Sequence, residues 1–328
     1  MLKKKTKSAI IVTAAATVLG GALFLGTRAA DSSTAVSANS NLVSQQQPAE
    51  VERPQIDVVF ALDTTGSMSG MIAGAKEKIW SLANEISSGQ PRPIVRFGLV
   101  GYRDLSDAYV TKVTPLSSDM DAMYDELMAF QAGGGGDGPE HVNQALSDSL
   151  HKMQWKQGPK VLRLVFLVGD APPHNDYDDG LNSEALAKEA SAKGIIINTI
   201  RTGNDQATGT AWERIASIGG GQYHSIAQNG GMVAVTTPFD DKLAELNRAL
   251  ADTTVAYGSL STRSKTRSKV ANRRAMGGEA AASAASYSMK SKGGGLGRGD
   301  LLAGLESGTI SMSELDDASM DEEMQAMP

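Results

Sequence analysis

Residues 55–69 read QIDVVFALDTTGSMS. From Ile56 to Leu62 every side chain except Asp57 is apolar, with no alternation of polar and apolar positions. Such a run suits a strand covered on both faces inside a parallel sheet. It stops at Asp63, and a turn of threonine, glycine and serine follows. Beyond the turn, residues 70–87 set Met71, Ile72, Ala75, Ile79, Leu82 and Ile86 on one stripe at helical spacing. Strand, polar turn and helix thus follow one another within about thirty residues, the length of one βα unit.

The alternation continues downstream. Residues 94–102 (IVRFGLVGY) and 108–113 read as two strands separated by the short turn 103–107, which predicts a hairpin and one antiparallel edge. Helical patterns cover 119–130 and 139–153, and a third buried strand, 161–168 (VLRLVFLV), ends at Gly169-Asp170. A helix over 183–192, a strand over 194–200, a helix over 208–218, a short strand over 222–225 and a helix over 238–250 complete the body. The prediction is an α/β fold, a doubly wound, mostly parallel sheet with one antiparallel edge strand. Ligands of such sheets sit beyond the carboxyl ends of the strands.

Three polar segments fall at those ends. Asp63-Thr64-Thr65-Gly66-Ser67 has the form Asp-x-Ser/Thr-x-Ser; residues 133–140 (GGGGDGPE) lead into a helix; Asp170 follows the VFLVG strand. Carboxylates beside hydroxyls, in a chain with no cysteine, describe a site for a hard divalent cation, Mg²⁺ before Mn²⁺ or Ca²⁺. Gly133-x-Gly135-x-x-Gly138 matches a dinucleotide fingerprint in form, but it follows a helix instead of a strand. Asp176, Asp178 and Asp179 resemble half a calcium loop, and lack the glutamate that would complete it.

These residues resemble the von Willebrand factor A (vWA) domain and its metal-ion-dependent adhesion site (MIDAS). The resemblance covers residues 54 to about 255, and its most specific part is residues 56–69 (IDVVFALDTTGSMS). It implies Thr65 and Ser67 as direct ligands, Asp63 and Asp170 holding the cation largely through water, and one position left for a partner's carboxylate. The family usually supplies a threonine from the second loop; here Asp137 is the nearest substitute. Arg103, Asp104 and His174 are expected at the rim of the site.

Charge is segregated along the chain. Lys3, Lys4, Lys5, Lys7 and Arg28 make the first 28 residues basic, whereas the formal net charge of the whole is −6. Residues 262–298 carry nine Lys or Arg against the single Glu279, and 299–328 carry eight Asp or Glu and no base. The body between is acidic, which argues against nucleic-acid binding. Absence of cysteine excludes a disulfide framework, a thiolate zinc site, a thiol nucleophile and a lipoprotein anchor.

After the lysine cluster, residues 9–27 carry no charge and as a helix span about 28 Å, roughly a bilayer core. Residues 1–28 therefore read as a signal peptide or a signal-anchor transmembrane helix. The expected organisation continues with a disordered tether over 29–53, a vWA domain over 54–257, a basic Ser/Gly-rich linker over 258–298 and an acidic tail with short helices over 299–328. The expected location is a bacterial cell envelope, anchored in the inner membrane and facing the periplasm, or exported after cleavage.

The histidines are four, His141, His151, His174 and His224, and neither a Gly-x-Ser-x-Gly elbow nor a His-Glu-x-x-His motif occurs. The expectation is a non-catalytic, cation-dependent protein-binding module that captures an Asp or Glu of a partner. Two alternatives belong to other classes: a metal-assisted hydrolase with Asp137 or Asp170 as base, and an assembly subunit for an AAA+ ATPase.

Overall fold

The computed structural model describes residues 53–136, 138–228, 230, 239–290, 295–320 and 324. The apolar segment 9–27 and the tether up to residue 52 lie outside them; among the described residues no helix is long and apolar enough to cross a membrane.

Six strands form one sheet: β1 Gln55–Asp63, β2 Ile94–Tyr102, β3 Thr111–Ser117, β4 Val161–Gly169, β5 Ile196–Thr202 and β6 Gly220–Ile226. Their order is β3-β2-β1-β4-β5-β6, and only β3 runs antiparallel, paired with β2 at the edge. β1 lies centrally because both its faces are apolar. Ile56, Val58 and Leu62 enter one core with Phe97, Phe166 and Trp80; Val59 and Ala61 enter the other with Leu146, Leu167 and Trp212. Asp57, the polar exception, is buried and bound by both arms of Arg96, at 2.8 and 2.6 Å, and by the Lys156 amide.

Helices α1 Ser69–Ile86 and α2 Met120–Ala129 contribute to the first core; α3 Val142–His151, α4 Ser183–Ala192 and α5 Gln206–Ile218 contribute to the second. The chain leaves β1 towards β2 on one side and meets β4 on the other, so β1 and β4 form the switch point where loops open a crevice. Their register pairs Leu62 with Val168, which brings the loops after both strands together.

The described residues of 258–298, expected as a linker, are largely helical and packed. After α6 Asp240–Asp252 come α7 Leu260–Ala275 and α8 Gly278–Lys290, followed by α9 Leu301–Ser307. α8 lies against α1 and α6 with Ala280, Ala281, Ala284 and Ala285 buried, small side chains that permit close approach. α7 sets its basic residues against acidic α2. Arg273, 1% exposed, binds both carboxylate oxygens of Asp121 and covers the Trp80 ring, while Lys269 pairs with Asp119. Lys269, Arg273 and Arg274 thus pair with Asp119, Asp121 and Asp252 of the body, and the fold continues past residue 257. Among the described residues of the tail, 299–328, short helices occur as expected: α9 and two single turns, Met312–Glu314 and Asp317–Ser319.

Candidate metal centre

Asp63 ends β1 with 0% exposure. Its Oδ1 accepts hydrogen bonds from the Thr65 amide at 2.8 Å and the Thr65 hydroxyl at 2.6 Å, so the turn folds back on the carboxylate that starts it. The Ser67 hydroxyl stands 3.2 Å from that of Thr65, at the exposed side of the turn. Asp63 Oδ2 is buried and has no hydrogen-bond partner among the described residues. Burial, reinforced by the charge of Asp170 and opposed by the bonds from Thr65 and by the Asp170 backbone N–H, raises the Asp63 pKa from 3.8 to about 7.

Asp170 enters from the end of β4. Gln228 donates to its Oδ2 and, at 3.2 Å, to the Ser67 carbonyl, linking the first and third loops. Gly169 allows the approach: a Cβ there would stand 2.4 Å from the Tyr102 hydroxyl and 3.0 Å from Asp63 Cβ.

The glycine loop closes the second side. Gly66 N–H donates to the Gly134 carbonyl at 3.2 Å and Gly133 N–H to the Thr64 carbonyl at 3.1 Å. Gly134 and Gly135 have φ of 76° and 80°, the left-handed region that glycine enters freely, and the Gly135 amide donates to the Asp107 carboxylate. Asp137 lies outside the described residues.

Arg103 is used within the scaffold: its guanidinium donates to the Thr64 carbonyl at 3.1 Å and the Gln131 carbonyl at 2.7 Å, tying the first loop to the second, and lies over the Tyr109 ring. Asp104 accepts the Tyr177 hydroxyl on both oxygens. His174 stacks on Tyr177 at 4.1 Å, pairs with Asp176 at 2.7 Å, and lies 3.8 Å from Asp104. All three expected rim residues are buried and bonded to scaffold groups. Asp179 of the acidic run lies 3.2 Å from His141.

Nothing in the sequence marks Glu140 as a site residue. A helix was expected from residue 139, where an early glutamate is unremarkable. Instead α3 starts at Val142 with His141 as its cap, and Glu140 forms a single-residue bridge with Pro173. Its side chain is 3% exposed. Burial, then the charges of Asp63, Asp104, Asp107 and Asp170, raises its pKa from 4.5 to about 9. Burial, then the charges of Asp63, Glu140 and Asp170, raises Tyr102 well above its ordinary value. Asp107, Tyr177 and Gln228 carry no sequence signal either, because each is positioned by tertiary contacts instead of by a local motif.

A buried oxygen without a partner, flanked by two hydroxyls and a second carboxylate, fits a small hard cation. Residues 57–238 match the model of the von Willebrand factor A domain. The chain belongs to the vWA family. vWA domains commonly mediate protein interactions. Among related proteins, alpha-protein kinase vwkA of Dictyostelium discoideum is 31% identical over 120 residues, covering 36% of this chain and 19% of that protein. An ariadne-like RING finger protein of Acanthamoeba polyphaga mimivirus is 27% identical over 120 residues, covering 37% of this chain and 11% of that protein. The vWA chain thus spans about a fifth and a tenth of the lengths of these relatives. Among solved structures, proximal thread matrix protein 1 from the mussel byssus, with a zinc-occupied MIDAS motif, is 14% identical at a TM-score of 0.40, covering 53% of this chain and 42% of that one.

Proposed function

We propose that this vWA domain is a divalent-cation-dependent protein-binding module of a bacterial cell envelope, and that it is not an enzyme. The observation that carries the reading is the wholly buried Asp63, whose Oδ2 lacks a partner among the described residues beside the Thr65 and Ser67 hydroxyls. Asp63, Thr65, Ser67 and Asp170 would hold Mg²⁺, with Mn²⁺ or Ca²⁺ as substitutes. A bound cation supplies a hard Lewis-acid position for an Asp or Glu side chain of a protein partner. Ser67 lies at the exposed side of the turn, so the approach for such a side chain is from the solvent side. His141 is a structural group on this reading: one ring nitrogen accepts the Gln144 amide, the other faces Asp179. Export rests on the lysine cluster and the uncharged residues 9–27, with the folded body on the periplasmic side.

The test is crosslinking pull-down from bacterial envelopes in Mg²⁺ against EDTA, comparing the chain with Asp63→Ala. Partners should appear only with wild type in Mg²⁺. Identical capture by Asp63→Ala, with and without EDTA, contradicts the reading, as does turnover of phosphate or ester substrates by the wild type. A reporter fused after Tyr257 should read periplasmic; a cytosolic signal contradicts the location.

A further inference from the structure

The segment after residue 257 does more than cover the body. Together with the start of α2 it encloses a cavity of about 920 Å³, walled by Met120 from α2, Tyr287 from α8 and Ile310 from the stretch after α9. Pockets that take small organic ligands have volumes of about 300–1,000 Å³, largely apolar walls and a few polar groups that fix orientation. Most of this wall lies outside residues 57–238, so membership of the vWA family assigns it no role.

The charged groups of the wall decide what the cavity takes. Asp121 gives both carboxylate oxygens to Arg273. Asp119 pairs with Lys269 at 2.5 Å and accepts the amides of Ala122 and Arg298. Asp300 accepts the amides of Leu296, Leu302 and Ala303. Each acid of the wall is thus already engaged, and a cationic ligand meets no waiting carboxylate. Arg298 differs. Its backbone is tied to the wall, the N–H donating to Asp119 at 3.2 Å and the carbonyl accepting from Lys269 at 3.0 Å. Its guanidinium is exposed and makes no hydrogen bond or ion pair among the described residues.

We propose that this cavity binds a small organic anion, a carboxylate carried on an apolar or aromatic body. Arg298 pairs with the carboxylate, while Met120, Tyr287 and Ile310 receive the body. A guanidinium and a carboxylate match through two parallel hydrogen bonds, which sets the orientation of the ligand. Removal of its apolar surface from water supplies the remaining affinity. The proposal is independent of the cation-binding reading above.

4-Benzoylbenzoate, an aromatic carboxylate that crosslinks to neighbouring C–H bonds under ultraviolet light, and its uncharged methyl ester test this on the full chain by isothermal titration calorimetry. The wild type should bind the acid about tenfold or more tightly than the ester. Arg298→Gln should bind the two alike and melt at the wild-type temperature, because the guanidinium holds nothing in place. Arg298→Lys, which keeps the charge, should retain part of the preference. Irradiation should attach the probe to Met120, Tyr287 or Ile310, as read by peptide mass spectrometry. An ester that binds as tightly as the acid overturns the proposal, as does an Arg298→Gln chain that binds the acid as tightly as wild type. Adducts confined to other residues, or a wild type that binds neither compound, overturn it as well.

Discussion

Asp63 and Gly169 show how two adjacent positions make the centre. In the metal-free fold Asp63 titrates at about 7 against an ordinary 3.8, and Glu140 at about 9 against 4.5. Between each pair of values the folded chain holds a proton that the unfolded chain has released. Stability is therefore full below about pH 4, falls as pH rises through about 7 on account of Asp63, and goes on falling towards about 9 on account of Glu140. Urea unfolding in EDTA across that range should show the decline, and saturating Mg²⁺ should flatten it; a level profile in EDTA contradicts the buried, unmatched carboxylates. Gly169→Ala drives a methyl to within 2.4 Å of the Tyr102 hydroxyl. Overpacking of this kind costs about 1–3 kcal/mol, to be read as a lower urea midpoint, and Tyr102→Phe in the same chain should recover part of it. Asp63, Thr65, Ser67 and Asp170 were legible because each follows directly on a strand that its own apolar run announces. Glu140 was not, since nothing local separates a glutamate before a helix from one turned into a crevice.

The helices divide the same way. α1 was readable from Met71, Ile72, Ile79 and Ile86, all buried. α7 was not, because its buried stripe is Arg263, Thr266, Lys269 and Arg273, helical in spacing and polar in kind. A hydropathy pattern finds apolar stripes only; a charged stripe becomes a buried face when a matching row of acids stands opposite. Asp119 and Asp121 at the start of α2 supply that row. Arg273→Ala should cost about 3–5 kcal/mol, because it leaves Asp121 buried and uncompensated. Arg273→Met combined with Asp121→Asn should recover most of the loss. Equal unfolding midpoints for wild type and Arg273→Ala in guanidinium chloride argue that the pair is decorative.

For the molecule as a unit, the consequence is that the vWA body and the segment after residue 257 share one core: Trp80, Met276, Ala281 and Ala284 lie in a single cluster. A chain ending at Tyr257 should unfold at lower denaturant and bind a hydrophobic dye in its native buffer, since α1 and α6 lose the cover of α8. A truncated chain as stable as the longer one, with no dye binding, would show that the cover is dispensable. The parallel strands, their flanking helices and the carboxylate and hydroxyls of the first loop could be read from the chain itself, because apolar continuity and a polar turn are local properties that fold the same way wherever they occur. Sheet order, the placement of Glu140, the burial of Arg103, Asp104 and His174, and the docking of α7 and α8 were decided by packing alone. Each depends on which distant groups meet, and a charged side chain buries only when its counterpart from another element is already in place.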